Sequence, residues 1–128
     1  MDLPMHSADD IVRMRQTIRE HAVSLGFSLV DQTKIVTAAS ELARNILNYG
    51  GGGSVSLEKL NKNGRNGLKL LFADNGPGIA DIELAMKDGY TTGTGMGLGL
   101  GGAKRLSNEF EIRSQPGAGT VVRITRWK

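Results

Sequence analysis

Apolar side chains fall three or four residues apart through the first fifty positions and mostly two apart in the later hydrophobic runs, so the chain reads as helices first and paired strands afterwards. Ile11, Met14, Ile18, Ala22 and Leu25 form one helical stripe, opened by Ser7 and Asp10 in capping-box spacing and closed by Gly26. Asp31 is the expected N-cap of a longer helix whose buried stripe is Ile35, Ala38, Ala39, Leu42, Ile46 and Tyr49, ending at Gly50. After the turn Gly50 to Gly53, Val55, Leu57 and Leu60 predict a strand pairing with Leu68 to Ala73 across a hairpin loop, NKNGRNG. Asp81 to Lys87 predicts a short helix, and Gly101 to Asn108 a fuller one with Ala103 and Leu106 inward. Glu109 to Ser114 and Thr120 to Trp127 alternate as strands around QPGAG. The opening MDLPMH is short and broken by proline, compatible with a remnant edge strand. This order predicts a two-layer α+β sandwich, helices covering one face of a sheet, in a single domain over residues 1–128.

Composition narrows the chemistry. There is no cysteine, which excludes disulfides, thiol catalysis and cysteine-zinc sites. No segment approaches the ~18 apolar residues of a membrane span, and the amino end carries no signal-peptide pattern, so a cytoplasmic location and no membrane partner are expected. A net charge of +3 mildly favours acidic ligands such as phosphates. The positive charges are scattered and aromatics make up only 5%, which argues against a nucleic-acid partner.

The stretch TTGTGMGLGLGG, Thr91 to Gly102, places six glycines in twelve residues. A plain linker would not carry Met96, Leu98 and Leu100 between its glycines or lead into an amphipathic helix. A P-loop requires glycine directly before lysine, whereas Ala103 precedes Lys104 and Arg105 follows it. The formal GxGxxG at Gly97, Gly99 and Gly102 lacks the preceding buried strand of a dinucleotide fold. Two readings remain: a loop whose bare amides, with those of the following helix, cradle an anion, and a merely mobile surface loop.

Two further constellations bear on that choice. In LKLLFADNGPGI a hydrophobic strand ends in Asp74 and turns through Asn75, Gly76, Pro77 and Gly78; a carboxylate there can accept hydrogen bonds from an exocyclic amine in an apolar pocket, although Asp-Asn-Gly is also a common turn. In SELARNILN, Glu41 and Asn45 share one helix face at i, i+4 spacing and could meet one ligand or metal, or be a solvated surface pair.

Taken together and in order, these motifs resemble the GHKL ATP-binding superfamily of gyrase, the heat-shock chaperone, mismatch-repair ATPases and histidine kinases. Glu41 to Asn45 is similar to its N box, Asp74 to Gly78 to its first glycine box, Gly93 to Leu100 to its ATP-lid box, and GAGTVVRI, with Thr120, to its last box. Within it, ELARNILNYGGGG, DNGPGIADIELAMKDGYTTG and GLGLGGAKRLSNEFEI resemble the stand-alone serine kinases of anti-sigma regulation, in particular the RsbT-type switch kinases of the bacterial stressosome. Asn45 is followed by Ile46 rather than by the alanine usual in anti-sigma relatives. The resemblance implies the Bergerat (HATPase_c) fold, with a mixed, mostly antiparallel sheet, and the cofactors ATP and Mg²⁺. It implies Asn45 as the metal ligand and Asp74, supported by Thr120, on the adenine amine, with Gly76 and Gly78 letting the base lie close to backbone. Gly93, Thr94, Gly95, Met96, Gly97, Leu98 and Gly99 would form the lid over the triphosphate, with Lys104 or Arg105 assisting on phosphate and Glu41 as general base toward a substrate serine. The implied partners are STAS-domain antagonist and scaffold proteins as substrates and a PP2C-type phosphatase. Alternatives kept open are an anti-sigma-factor type module that binds its partners with little phosphotransfer, and a histidine-kinase catalytic domain from a larger chain.

Overall fold

The computed structural model describes residues 1–79, Met86 and 99–128. Along the chain run β1 (Asp2–Met5), α1 (Ala8–Ser24), α2 (Leu29–Asn48), β2 (Gly53–Lys62), β3 (Arg65–Asp74), α3 (Leu100–Arg105), β4 (Glu109–Ser114) and β5 (Thr120–Trp127). The strands form one sheet in the order β1-β2-β3-β5-β4. Every pairing among them is antiparallel, so the mixed sheet expected from the sequence is antiparallel throughout the described residues. The amino-terminal remnant is a true edge strand of four residues, and the edge tolerates Pro4.

Both long helices start where a side chain satisfies the free amides of the first turn. Ser7 and Asp10 form a reciprocal capping box, and Asp10 also pairs with Arg13. The second helix begins earlier than expected: Ser28, not Asp31, is the N-cap, its hydroxyl accepting from the Asp31 amide, with Asp31 one turn in. Leu29 and Val30 stand out into solvent at 70% and 61% exposure, which is why the apolar stripe appeared to start later. The loop expected at NKNGRNG is a two-residue turn, Asn63–Gly64, both at positive φ, between the paired Lys62 and Arg65. That is the turn favoured where strand twist continues through a hairpin. Its flanking residues are polar because the strands there project beyond the core, not because they leave the sheet. The short helix expected at Asp81 to Lys87 lies, except for Met86, outside the described residues, and the helix expected over Gly101 to Asn108 spans Leu100–Arg105.

The helices cover one sheet face, and register explains the core. Cross-strand rows run Val55–Phe72–Val122–Ile112 and Leu57–Leu70–Ile124–Phe110. These meet Met14, Ile18 and Ala22 of α1 and Ile35, Ala38, Ala39, Leu42 and Ile46 of α2 in one apolar cluster. Three alanines, Ala38, Ala39 and Ala43, are fully buried, and their small size lets α2 lie close against its neighbours. At one end of this face Arg126 crosses the layers, donating to Asp31 of α2 at 2.7 Å and to the Leu106 carbonyl after α3 at 2.8 Å. No helix among the described residues is long and apolar enough to cross a membrane.

Candidate nucleotide site

At the other end of the sheet the inward-facing rows turn polar. One row beyond Val55–Phe72–Val122–Ile112 stand Gly53, Asp74, Thr120 and Ser114, paired in that order across β2, β3, β5 and β4. Because side chains alternate, this row points to the helix side, as the apolar rows do. A carboxylate and two hydroxyls therefore sit side by side where an apolar face ends.

Their hydrogen bonds are specific. Asp74 Oδ1 accepts from the Gly76 amide at 2.9 Å, fixing the turn after β3. Asp74 Oδ2 makes no hydrogen bond among the described residues. Ser114 Oγ lies 2.8 Å from Thr120 Oγ1, accepts from the Ile79 amide at 2.7 Å and donates to the Gly119 carbonyl at 3.1 Å. Ser114 thus ties the Asp74–Gly78 turn to the β4–β5 hairpin, and the Gly117 amide adds a bond to the Pro77 carbonyl at 2.7 Å. Sequence reasoning missed Ser114; the signal was its place as last residue of a strand opposite Thr120, visible only once register is known.

Between this row and the second half of α2 lies a small pocket of about 50 Å³. Its walls are Leu42, Ile46, Tyr49, Phe72, Ile79, Leu100 and Val122, its polar groups Asn45, Asp74 and Thr120, with Gly50 and Gly78 contributing bare backbone. Apolar walls with a carboxylate and a hydroxyl at one edge match the chemistry of a flat apolar ring with one edge rich in donors. The expected residues Asn45, Asp74, Gly78 and Thr120 are brought together here; the apolar walls Leu42, Ile46, Tyr49 and Leu100 were not foreseen as site residues.

The other expected residues are placed as follows. Gly76 does not open toward the pocket: a Cβ on it would stand 2.6 Å from Gly50 Cα. Gly78, at φ +77°, faces the backbone of Gln115 closely enough that a Cβ would collide with its carbonyl. Glu41 lies one helical turn before Asn45, 42% exposed, paired with Arg44 at 3.0 Å. Its other oxygen, Oε2, lies 2.7 Å from where a Cβ on Gly99 would be. Gly99 is the left-handed N-cap of α3, so the carboxylate stands where the glycine-rich segment rejoins the fold. Lys104 and Arg105 are exposed in the last turn of α3 rather than its first. Gly93, Thr94, Gly95, Met96, Gly97 and Leu98 lie outside the described residues.

Residues 30–128 match the family model described as histidine kinase-, DNA gyrase B- and HSP90-like ATPase. The chain is 48% identical over 118 residues to the serine/threonine-protein kinase RsbT of Bacillus subtilis, covering 92% of this chain and 89% of that protein. It is 29% identical over 117 residues to an anti-sigma F factor of Thermoanaerobacter, covering 88% and 82% respectively. Among solved structures it superposes on a chain of the SiaB–SiaC complex of Pseudomonas aeruginosa with TM-score 0.60 at 16% identity, covering 100% and 89% of the two chains. The catalytic domain of histidine kinase ThkA aligns with TM-score 0.56 at 12% identity, over 98% and 95%. These two structural likenesses concern the fold.

Proposed function

This chain belongs to the histidine kinase-, DNA gyrase B- and HSP90-like ATPase family and is an ATP-using serine/threonine-protein kinase; we propose that it transfers the γ-phosphate of Mg·ATP to a serine of a STAS-domain protein and works as a partner switch. The observation that carries the site assignment is that Asp74 lines a mostly apolar pocket with one oxygen held by the Gly76 amide and the other making no hydrogen bond among the described residues.

In this reading the adenine lies between the walls of α2 and β3–β5 with its 6-amino group donating to Asp74 Oδ2, and Thr120, held by Ser114, completes that edge. The triphosphate extends toward Asn45. Among the described residues no group of three or more His, Cys, Asp or Glu side chains could hold a metal. Mg²⁺ keeps several waters and is held largely by substrate phosphates; the Asn45 side-chain oxygen would be its protein ligand. When bound, the ion neutralises charge on the phosphates. Glu41 accepts the proton of the substrate hydroxyl as its oxygen bonds to the γ-phosphorus; the bond from that phosphorus to the β–γ bridging oxygen breaks and ADP departs with the electron pair. The lid role of Gly93 to Leu98 falls on residues outside the described ones, and Lys104 would supply positive charge toward the phosphates.

Partner switching is supported by similarity to both a serine/threonine kinase and anti-sigma F factors. Phosphorylation adds negative charge to the STAS surface and releases the kinase, which then binds a PP2C-type phosphatase. The test is incubation with Mg²⁺, labelled ATP and the STAS-domain proteins of the source cell. Label on serine is expected, and Glu41→Ala should keep nucleotide affinity while slowing transfer about 10²- to 10⁴-fold. Stable binding without label, or undiminished transfer by the variant, overturns the catalytic assignment.

A further inference from the structure

Gly50 closes the C-terminal end of α2, its amide donating to the carbonyls of Asn45 and Ile46 at 3.1 Å each. Nothing in its backbone conformation demands glycine, since it lies outside the positive-φ set. Space does. A Cβ on Gly50 would stand 2.5 Å from Asp74 Cγ, 2.6 Å from its Cβ and 2.7 Å from its Oδ2, and a Cβ on Gly76 would stand 2.6 Å from Gly50 Cα. Oδ1 of the same carboxylate is already fixed by the Gly76 amide. A side chain at position 50 would therefore crowd the Asp74 side chain as a whole, including the oxygen left to read a ligand.

From this we infer that Gly50 is a specificity-determining positioning residue: the bare end of α2 holds Asp74 Oδ2 open to the 6-amino group of the nucleobase. The inference rests on the adenine reading of Asp74 given above. It also ties the two ends of the nucleotide together, because the carbonyl of Asn45 anchors the same turn whose bareness sets the purine contact. Adding one methyl group at Gly50 leaves the carboxylate two courses. It rotates away and gives up the Gly76 bond, or it stays and Oδ2 is covered.

A structural role alone would lower stability and weaken all nucleotides alike, so the measurement is a ratio. Calorimetric titration with Mg·ATP and with Mg·purine riboside triphosphate, which lacks the 6-amino group, gives the discrimination carried by that group. We expect the wild type to favour ATP by about 10- to 100-fold, the worth of one hydrogen bond to a charged group. Gly50→Ala should bring the ratio close to one while binding the analogue as the wild type does. Gly67→Ala, which crowds Trp127 at the far end of β3, serves as a control and should keep the ratio whatever its melting temperature. If Gly50→Ala retains the wild-type ratio while Asp74→Asn loses it, the inference is wrong and the adenine reading stands. If Asp74→Asn also retains it, both fail. Should Gly50→Ala not fold, the double variant Gly50→Ala/Asp74→Gly decides: recovered folding shows that the added methyl collides with the Asp74 side chain, and persistent unfolding overturns the inference.

Discussion

Asp74→Asn replaces one oxygen by an amino group and changes little else in shape, so its consequence can be worked from the bonds around it. The carboxylate has two acceptor atoms with two duties: Oδ1 accepts from the Gly76 amide at 2.9 Å, and Oδ2 faces the pocket. Asparagine has one acceptor. If that oxygen stays on Gly76, the amino group meets the 6-amino group of adenine, donor against donor. If it turns to the ligand, the amino group meets the Gly76 N–H instead. Either way one charge-assisted bond is lost, about 1.5–3 kcal/mol, and one donor is left buried without an acceptor, about 1–3 kcal/mol more. Taking about 3 kcal/mol as the combined loss, the Kd for Mg·ATP rises roughly 150-fold. In the absence of nucleotide the Gly76 bond can be kept, so the melting temperature should fall by no more than about 4 °C. Isothermal titration calorimetry on both proteins, with a thermal melt of each alone, measures the two quantities. Unchanged ATP affinity in a folded Asp74→Asn protein would refute the assignment of the purine end.

Further expectations concern the frame around the site. The guanidinium of Arg126, donating at 2.7 Å, holds the Asp31 carboxyl below its ordinary pKa of 3.8. A depressed carboxylate stabilises the fold fully above its unfolded pKa and ceases to do so as pH falls through the folded value. The wild type should therefore melt roughly 3–6 °C above Asp31→Asn at pH 7, about 1–2 kcal/mol for a half-buried pair, with the gap closing below pH 3.8; a gap independent of pH would exclude the ion pair as its source. Gly117 and Gly119 share nearly the same left-handed backbone, at φ +80° and +82°, but only Gly119 faces the Asp74 carbonyl where a Cβ would go. In urea unfolding Gly117→Ala should cost about 1–2 kcal/mol, the left-handed penalty alone, and Gly119→Ala at least about 3 kcal/mol because backbone cannot step aside. Equal costs would mean that the hairpin shifts to make room.

How much of this was legible in the sequence depends on whether the signal was local. The first helix was plain because Ser7, Asp10 and the spaced apolar residues all lie within one segment. The second was misplaced at its start because Leu29 and Val30 are exposed apolar residues, and hydrophobicity cannot say which way a side chain points. The hairpin arms were mistaken for loop because polar strand ends beyond the core alternate with nothing to bury. At the site, Asp74 and Thr120 announced themselves through their glycine-rich surroundings. Ser114 and Gly50 did not, since their meaning lies in register and in a helix end packed on a distant turn. The glycines of the Asp74 turn differ in place: Gly78 lines the pocket, while a Cβ on Gly76 would meet the Gly50 backbone.

The two carboxylates assigned to the site differ in how their charge is met, and that difference suits their different tasks. Asp74 shares one oxygen with a backbone amide and stands at the margin of an apolar face beside Phe72 and Val122. An acceptor at the edge of an apolar face with one oxygen left over gains from an incoming donor, which turns its incomplete coordination into affinity. Glu41 is 42% exposed and paired with Arg44, itself 47% exposed. Such surface pairs contribute about 0–1 kcal/mol and are readily exchanged. Glu41 can leave its arginine for a substrate hydroxyl at little cost, whereas Asp74 is pinned by Gly76 and boxed by Gly50. On the proposed assignment, binding rests on a carboxylate held between Gly76 and Gly50, and transfer on one paired with an exposed arginine.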